Sequence, residues 1–151
     1  MTQPYLEAQG CVGVQVHSTA IVDAGARLGD EVVVGPYTII GPGVSVGAGT
    51  TIGSHVLVER DTTLGEQCQI AQGAVLGSDP QDLKYEGEAS HLYVGDRTVV
   101  REYATLNRGT RASRKTVVGS DCLIMAYAHV AHDCEIGNHV ILSNAVNMAG
   151  H

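Results

Sequence analysis

The chain has 151 residues, 44% of them hydrophobic, enough to bury the core of one domain and too few for two. Its 19 glycines, 17% charged residues and lack of Trp and Phe call for an aliphatic core and many bends. A net charge of −7 excludes the broad basic footprint of a nucleic-acid or anionic-membrane binder, so any phosphate contact must be local. The opening segment MTQPYLEAQG has no basic stretch followed by an apolar one, and no apolar run is long enough to span a bilayer. Neither a secretory signal nor a membrane span is predicted, and a cytoplasmic location is the expectation. Cys11, Cys68, Cys122 and Cys134 form no CxxC pair, which leaves them expected as reduced thiols.

From Val16 onward an aliphatic residue recurs every six positions: Val16, Val22, Leu28, Val34, Ile40 and so on to Leu76. The series resumes at Val94, Val100 and Leu106, and again from Val118 to Met148. The following residue is often Gly, and the fifth position of each hexad is small or β-branched, as at Ala26, Thr38, Thr50 and Cys68. A helical period would rotate these positions round every face, whereas short strands with Gly at each bend keep them on one side. The prediction is an all-β solenoid with positions one and five facing inward.

Two segments leave the pattern. Residues 78–91, SDPQDLKYEGEASH, place Asp82 and Glu88 where aliphatics belong, and residues 111–116, RASRKT, are short and basic. Both are predicted to be loops ejected from a rigid scaffold, with lengths that keep the hexad frame. The hexads resemble those of the hexapeptide-repeat transferases. That resemblance implies a left-handed parallel β-helix, a triangular prism in which three hexads make one coil and residue i lies over residue i−18. The whole of 1–151 is then expected to be one such domain.

None of the seven histidines occupies an inward hexad position, so all are expected outside the core. The densest cluster is AYAHVAHDCEIG, with His129, His132 and Asp133. Stacking by 18 residues puts His132 beneath Gly150 and Asp133 beneath His151. An imidazole, a carboxylate to fix its tautomer and a Gly amide for an oxyanion are the parts of general-base catalysis. Carbonic anhydrases of this fold offer a competing zinc reading, but the position of their paired His is Tyr127 here, a poor zinc ligand. No metal and no cofactor are therefore expected. Cys68, Cys122 and Cys134 fall at inward fifth positions, and a 54-residue separation puts Cys68 and Cys122 three coils apart, too far for a disulfide. Arg101, Glu102 and Arg108 are open to being ordinary surface ion pairs. Lys84 and its neighbouring carboxylates in the first loop suit a phosphate-bearing sugar.

Taken together, QDLKYEGE, GDRTVVREYATLNRGT, AHVAHDCEIGN and NMAGH resemble, in order and spacing, the acyltransferases that acylate UDP-N-acetylglucosamine at the start of lipid A synthesis. The resemblance implies transfer of a 3-hydroxyacyl group from acyl carrier protein to the sugar's 3-hydroxyl by a cytosolic homotrimer. It implies His132 as general base, Asp133 as its orienting partner and Gly150 as the backbone beside base and oxyanion. Asp82 and Lys84 become sugar and phosphate contacts, with Gln81, His129 and His151 lining the cleft. Asn107 departs from the pattern, since the family commonly has His before RGT. The family also continues into further coils and a helical C-terminal domain, so the chain ending at His151 is expected to have little activity by itself. Another sugar acyltransferase and an inactive trimeric scaffold are the alternatives.

Overall fold

The computed structural model describes residues 5–7 and 12–151; Cys11 lies outside them. Strands of two to four residues pass in turn to three sheets of eight, seven and six strands. The chain thereby winds round a three-sided prism, a parallel β-helix. Its one antiparallel pairing among the described residues closes the first end, where Tyr5–Glu7 lies against Gln15–His17. Side chains at the first hexad position fill the interior, with Val34, Ile40, Val58, Leu76, Leu106 and Ile124 at most 1% exposed.

Val16 pairs with Val34, Val34 with Ile52 and Ile52 with Ile70, the predicted step of 18. Ile70 then pairs with Val100, thirty residues on, and Val100 with Ile124, twenty-four on. The excess is twelve residues and then six, whole hexads in both cases, which is why the sequence frame survives. Strand pairing resumes at His91 and at Lys115. The second ejected segment is therefore displaced from the expected 111–116 and ends at residue 114: Lys115 lies in a strand and Thr116 is fully buried.

The insertions also correct the cysteine spacing. Gln69 donates to Thr98 and Val99 donates to Cys122, so Cys68 and Cys122 are two coils apart with Thr98 between them, not three. At ~10 Å they remain beyond disulfide reach. Thr and Cys are interchangeable in this column for a reason. Thr50 Oγ1 donates to the Gly65 carbonyl at 2.8 Å and Thr98 Oγ1 to that of Gly119 at 2.7 Å, while the Cys68 and Cys122 thiols donate to Gly95 and Gly137 at 3.1 Å. Each group secures a corner carbonyl from inside the prism, so these thiols do more than fill space.

The glycines do not make the bends in the way the sequence predicts. The left-handed residue at each corner is hexad position four, as at Glu31, Tyr37, Gln67, Asp121 and Asp133, with φ between 54° and 62°. The Gly that follows the aliphatic residue is needed because successive coils nearly touch there. A Cβ on Gly47 would sit 2.5 Å from the backbone of Gly65, and one on Gly35 2.7 Å from Gly53. Close approach, not backbone torsion, selects glycine at that position.

Candidate active site

The predicted site residues, His129 apart, gather on one edge of the prism over four successive coils. Residues 79–90 leave this edge between Val75–Ser78 and His91–Val94, and residues 108–114 leave it between Thr105–Asn107 and Lys115–Val118. The next coil turns the same corner between His129–Val130 and Glu135–Ile136 with His132 and Asp133; the one after carries Gly150 and His151. Both insertions precede this part of the chain, so the step of 18 holds here. Val130 pairs with Met148, the His151 amide donates to the His132 carbonyl at 3.3 Å, and the two imidazoles meet edge to face at 5.1 Å.

His132 and Asp133 lie outside the aliphatic interior, as expected, yet they are not surface residues: each is 8% exposed. The second ejected loop covers them. Asp133 Oδ1 accepts from the Thr110 amide at 3.0 Å, the Ser113 amide at 3.1 Å and the Ser113 hydroxyl at 2.5 Å. Its Oδ2 accepts from the Thr110 hydroxyl at 2.6 Å and from His132 Nδ1 at 2.8 Å. Burial works against ionisation of this carboxyl, but the bonds from Ser113, Thr110 and His132 outweigh it and hold its pKa well below the usual carboxylate range. An ionised carboxylate only accepts, so Nδ1 of His132 carries the hydrogen and Nε2 is left basic.

Gly150 is required by space. A Cβ there would lie 2.4 Å from Cε1 and 2.6 Å from Nε2 of His132. Its own N–H makes no hydrogen bond among the described residues. In front of these groups opens a cavity of about 470 Å3 lined by Gln81, Asp82, Leu83, Lys84, His132, Gly150 and His151. Seven of the eight predicted site residues are thus brought together, Asp133 from behind the imidazole. His129 is the exception. It does not line this cavity, and its Nδ1 is 2.7 Å from Thr105 Oγ1 on the neighbouring strand of its own sheet, where burial, with the His132 charge, lowers its pKa. Another hollow, lined by Thr51, Gln69, Val99 and Arg101 among others, contains no base, and its one cation is paired with Glu102 at 3.0 Å.

Arg108 corrects the sequence reading most sharply. Arg101 and Glu102 do form an exposed ion pair, but Arg108 is 1% exposed and is the largest fully buried side chain. Its guanidinium donates to the Gly77 carbonyl, to Asp79 and, at 3.1 Å, to the Tyr85 hydroxyl, with Glu59 at 3.7 Å. It ties both ends of the Gln81-to-Lys84 segment to the prism. Beside it Asn107, which stands where the resemblance leads one to expect His, donates to Ser78 Oγ at 2.8 Å and to the Asp79 carbonyl at 3.1 Å. Glu88 links the two loops by accepting from the amides of Glu86 and Arg111, both at 2.9 Å. Thr110, Ser113 and Glu88 escaped sequence reasoning because ejected residues follow no stacking rule.

His132, Asp133 and His151 place nitrogen and oxygen atoms within 4.8 Å of one another, the one such grouping among the described residues. The donor set does not suit a metal. Asp133 already accepts five hydrogen bonds on a carboxylate with about four lone-pair positions.

Comparison with known proteins bears on the fold and the family. The model of the bacterial transferase hexapeptide, six repeats, matches residues 25–60 and 115–150. The acyl-[acyl-carrier-protein]–UDP-N-acetylglucosamine O-acyltransferase of Chlorobium phaeobacteroides is 72% identical over 119 residues, 79% of this chain and 45% of that protein. The Stenotrophomonas maltophilia protein of the same name is 54% identical over 138 residues, 91% of this chain and 52% of its own length. The structure of LpxA from Acinetobacter baumannii superposes with a TM-score of 0.89 at 46% identity, covering 90% of this chain and 53% of that one. The chain spans about half the length of the relatives it matches. By its hexad register, its left-handed parallel β-helix and these identities, the chain carries the bacterial transferase hexapeptide repeat and is similar, over most of its length, to about half of a UDP-N-acetylglucosamine O-acyltransferase.

Proposed function

We propose that the protein transfers a 3-hydroxyacyl group from acyl carrier protein to the 3-hydroxyl of UDP-N-acetylglucosamine, the opening reaction of lipid A synthesis. The observation that carries this reading is the His132 imidazole, fixed through Nδ1 by a carboxylate 2.8 Å away and lining a cavity shared with Lys84 and Asp82. His132 Nε2 removes the proton of the sugar hydroxyl as its oxygen attacks the thioester carbonyl. Asp133, held ionised, stabilises the imidazolium that forms. The Gly150 N–H donates to the oxyanion. Collapse breaks the C–S bond, and the proton on His132 passes to the departing thiolate. Asp82 and Gln81 accept and donate at sugar hydroxyls, Lys84 pairs with phosphate, and His151 walls the cleft, while His129 stands outside the cavity with its Nδ1 on the Thr105 hydroxyl. No metal or cofactor takes part.

The working assembly is a cytoplasmic homotrimer about an axis parallel to the prism, in which each copy covers apolar surface of another. Support for this comes from the outward residues of one sheet, Ile21 and Ile39, which pair in register and are 63% and 43% exposed. No described helix is long and apolar enough to cross a membrane. Acyl transfer from 3-hydroxyacyl carrier protein to UDP-N-acetylglucosamine tests the reading. His132→Ala is expected to lower turnover about 10²–10⁴-fold with sugar-nucleotide binding retained. Unchanged turnover would remove His132 as the base, and absence of any UDP-N-acetylglucosamine binding by the parent would favour a scaffold.

A further inference from the structure

The second ejected loop closes on itself: the Arg114 amide donates to the Thr110 carbonyl at 2.7 Å, which brings Ser113 against Asp133. Five hydrogen bonds converge on that carboxylate, and four of the donors have nowhere else to point. The amides of Thr110 and Ser113 are fixed by the backbone, and His132 Nδ1 by its ring. The Thr110 hydroxyl accepts from the Ala112 amide at 3.2 Å, and its hydrogen has Asp133 Oδ2 as its one acceptor among the described residues.

Ser113 differs. Its Oγ lies 2.5 Å from Asp133 Oδ1 and 2.7 Å from the Lys115 carbonyl oxygen. Both are acceptors, and a hydroxyl carries a single hydrogen. Two acceptors at nearly equal range therefore contest one hydrogen, and the charge around Asp133 decides which of them holds it.

A proton on His132 changes that charge. While the ring is neutral, an ionised carboxylate only 8% exposed needs every donor within reach. Once Nε2 is protonated, the imidazolium 2.8 Å from Oδ2 offsets the charge, and each further donor weakens the hold of the carboxylate on the cation. Around the pair stand His151, its Nδ1 4.0 Å from Oδ2, His129, and Cys134, whose thiol is pushed up by burial. Asp82 and Lys84 share the cavity with His132. On the loop side, Arg111 acts on Glu88 and Lys115 pairs with Glu135 at 3.3 Å. Among the described residues none of these groups hydrogen-bonds the Asp133 carboxylate, so Ser113 is its one adjustable donor.

We propose that Ser113 is a positioning residue whose hydroxyl donates to Asp133 while His132 is neutral and turns to the Lys115 carbonyl when His132 takes up a proton. The proposal rests on the reading of His132 as the base. The hydrogen stays on Oγ throughout, and only hydrogen bonds are exchanged. The neutral base keeps a fully satisfied carboxylate behind it, and the imidazolium formed during acyl transfer meets a carboxylate relieved of one competitor.

The proton NMR signal of His132 Nδ1–H in the purified protein tests this, recorded with the ring neutral and again with it protonated. Asp133 is held ionised in both states. A carboxylate with fewer donors accepts more strongly and draws the signal to lower field. Ser113→Ala is expected to move the signal to lower field in the neutral state and to leave it at the parent position in the protonated state, where the hydroxyl has already turned away. Thr110→Val, which removes a hydroxyl with no second acceptor, should move it in both states, and Ser113→Thr should restore the parent signal. Ser113 is exposed, so its replacement leaves the prism folded. An equal shift in both states of Ser113→Ala would make Ser113 a fixed donor and overturn the proposal, as would no shift in either. The measurement uses no substrate. The expected pattern in a protein that fails to acylate UDP-N-acetylglucosamine would therefore keep the turning hydroxyl and remove the acyltransferase reading.

Discussion

A single methyl group on Gly150 should disable the base while leaving the prism intact. Gly150→Ala would place Cβ 2.4 Å from His132 Cε1 and 2.9 Å from Nδ1, whereas carbon atoms rest at about 3.5–4.0 Å. The ring must therefore move by about 1 Å or swing out, and behind it Asp133 is fixed by four bonds from Thr110 and Ser113. The 2.8 Å contact between His132 and Asp133 is the one that yields. Losing a charge-assisted bond costs about 1.5–3 kcal/mol of local order, and a 1 Å misplacement of a catalytic group costs about 10²-fold in rate. Turnover should fall at least that far. In nitrogen-detected NMR the His132 signals should move from a single Nδ1–H tautomer towards a mixture. Gly25→Ala, where the added methyl meets only Asp23 Oδ1 at 3.2 Å, serves as the control and should leave both readouts unchanged. Normal turnover with an unaltered His132 tautomer in Gly150→Ala would refute the argument that position 150 is kept empty for the imidazole.

Arg108→Met should free the first loop without unfolding the sheets, read as faster tryptic cleavage after Lys84; an unchanged cleavage rate would show that the Asn107 and Glu88 contacts suffice. Thr98→Cys should be tolerated to within about 1 kcal/mol, because thiols already serve above and below it, whereas Thr98→Val strands the Gly119 carbonyl and the Cys122 amide and should cost about 2–3 kcal/mol in a denaturant melt. Asp133 titrates below its ordinary 3.8, so its stabilising contribution is complete above that value and is lost as pH falls through the depressed range. The gap in melting temperature between the parent and Asp133→Asn should therefore be widest above about pH 4 and shrink in acid. His129, lowered from 6.5 mainly by burial, destabilises parent and variant alike as pH falls below that value, because the unfolded imidazole takes up its proton more readily; a gap that grew in acid would contradict the assigned hydrogen bonds.

The inward columns were legible because the positions that fill the prism's interior recur every six residues, and the aliphatic at Val34 or Ile124 has no other use. The juxtaposition of His132 with Gly150 was legible too, since both lie after the insertions and follow the 18-residue step. Arg108 was not. It stands on the prism yet is buried by a loop whose path no period describes, so its surroundings are Asp79 and Tyr85 rather than its neighbours in the hexad frame. The same holds for the hold of Thr110 and Ser113 on Asp133. Glycine after the aliphatic residue was seen but misread, because the sequence shows that a side chain is missing without showing whether torsion or a neighbouring backbone forbids it.

The two insertions, twelve residues and six, together lengthen the chain by as much as one full circuit of the prism. That length adds nothing to the height of the column, which would otherwise rise by a further ~4.8 Å. It is instead hung from one corner as two awnings, one above the other. A bare triangular column presents flat walls and convex corners, neither of which can surround a substrate. The hollow beside His132 therefore belongs to the overhang more than to the column, and cutting residues 79–90 back to an ordinary corner should leave a well-folded shaft with its imidazole open to the solvent.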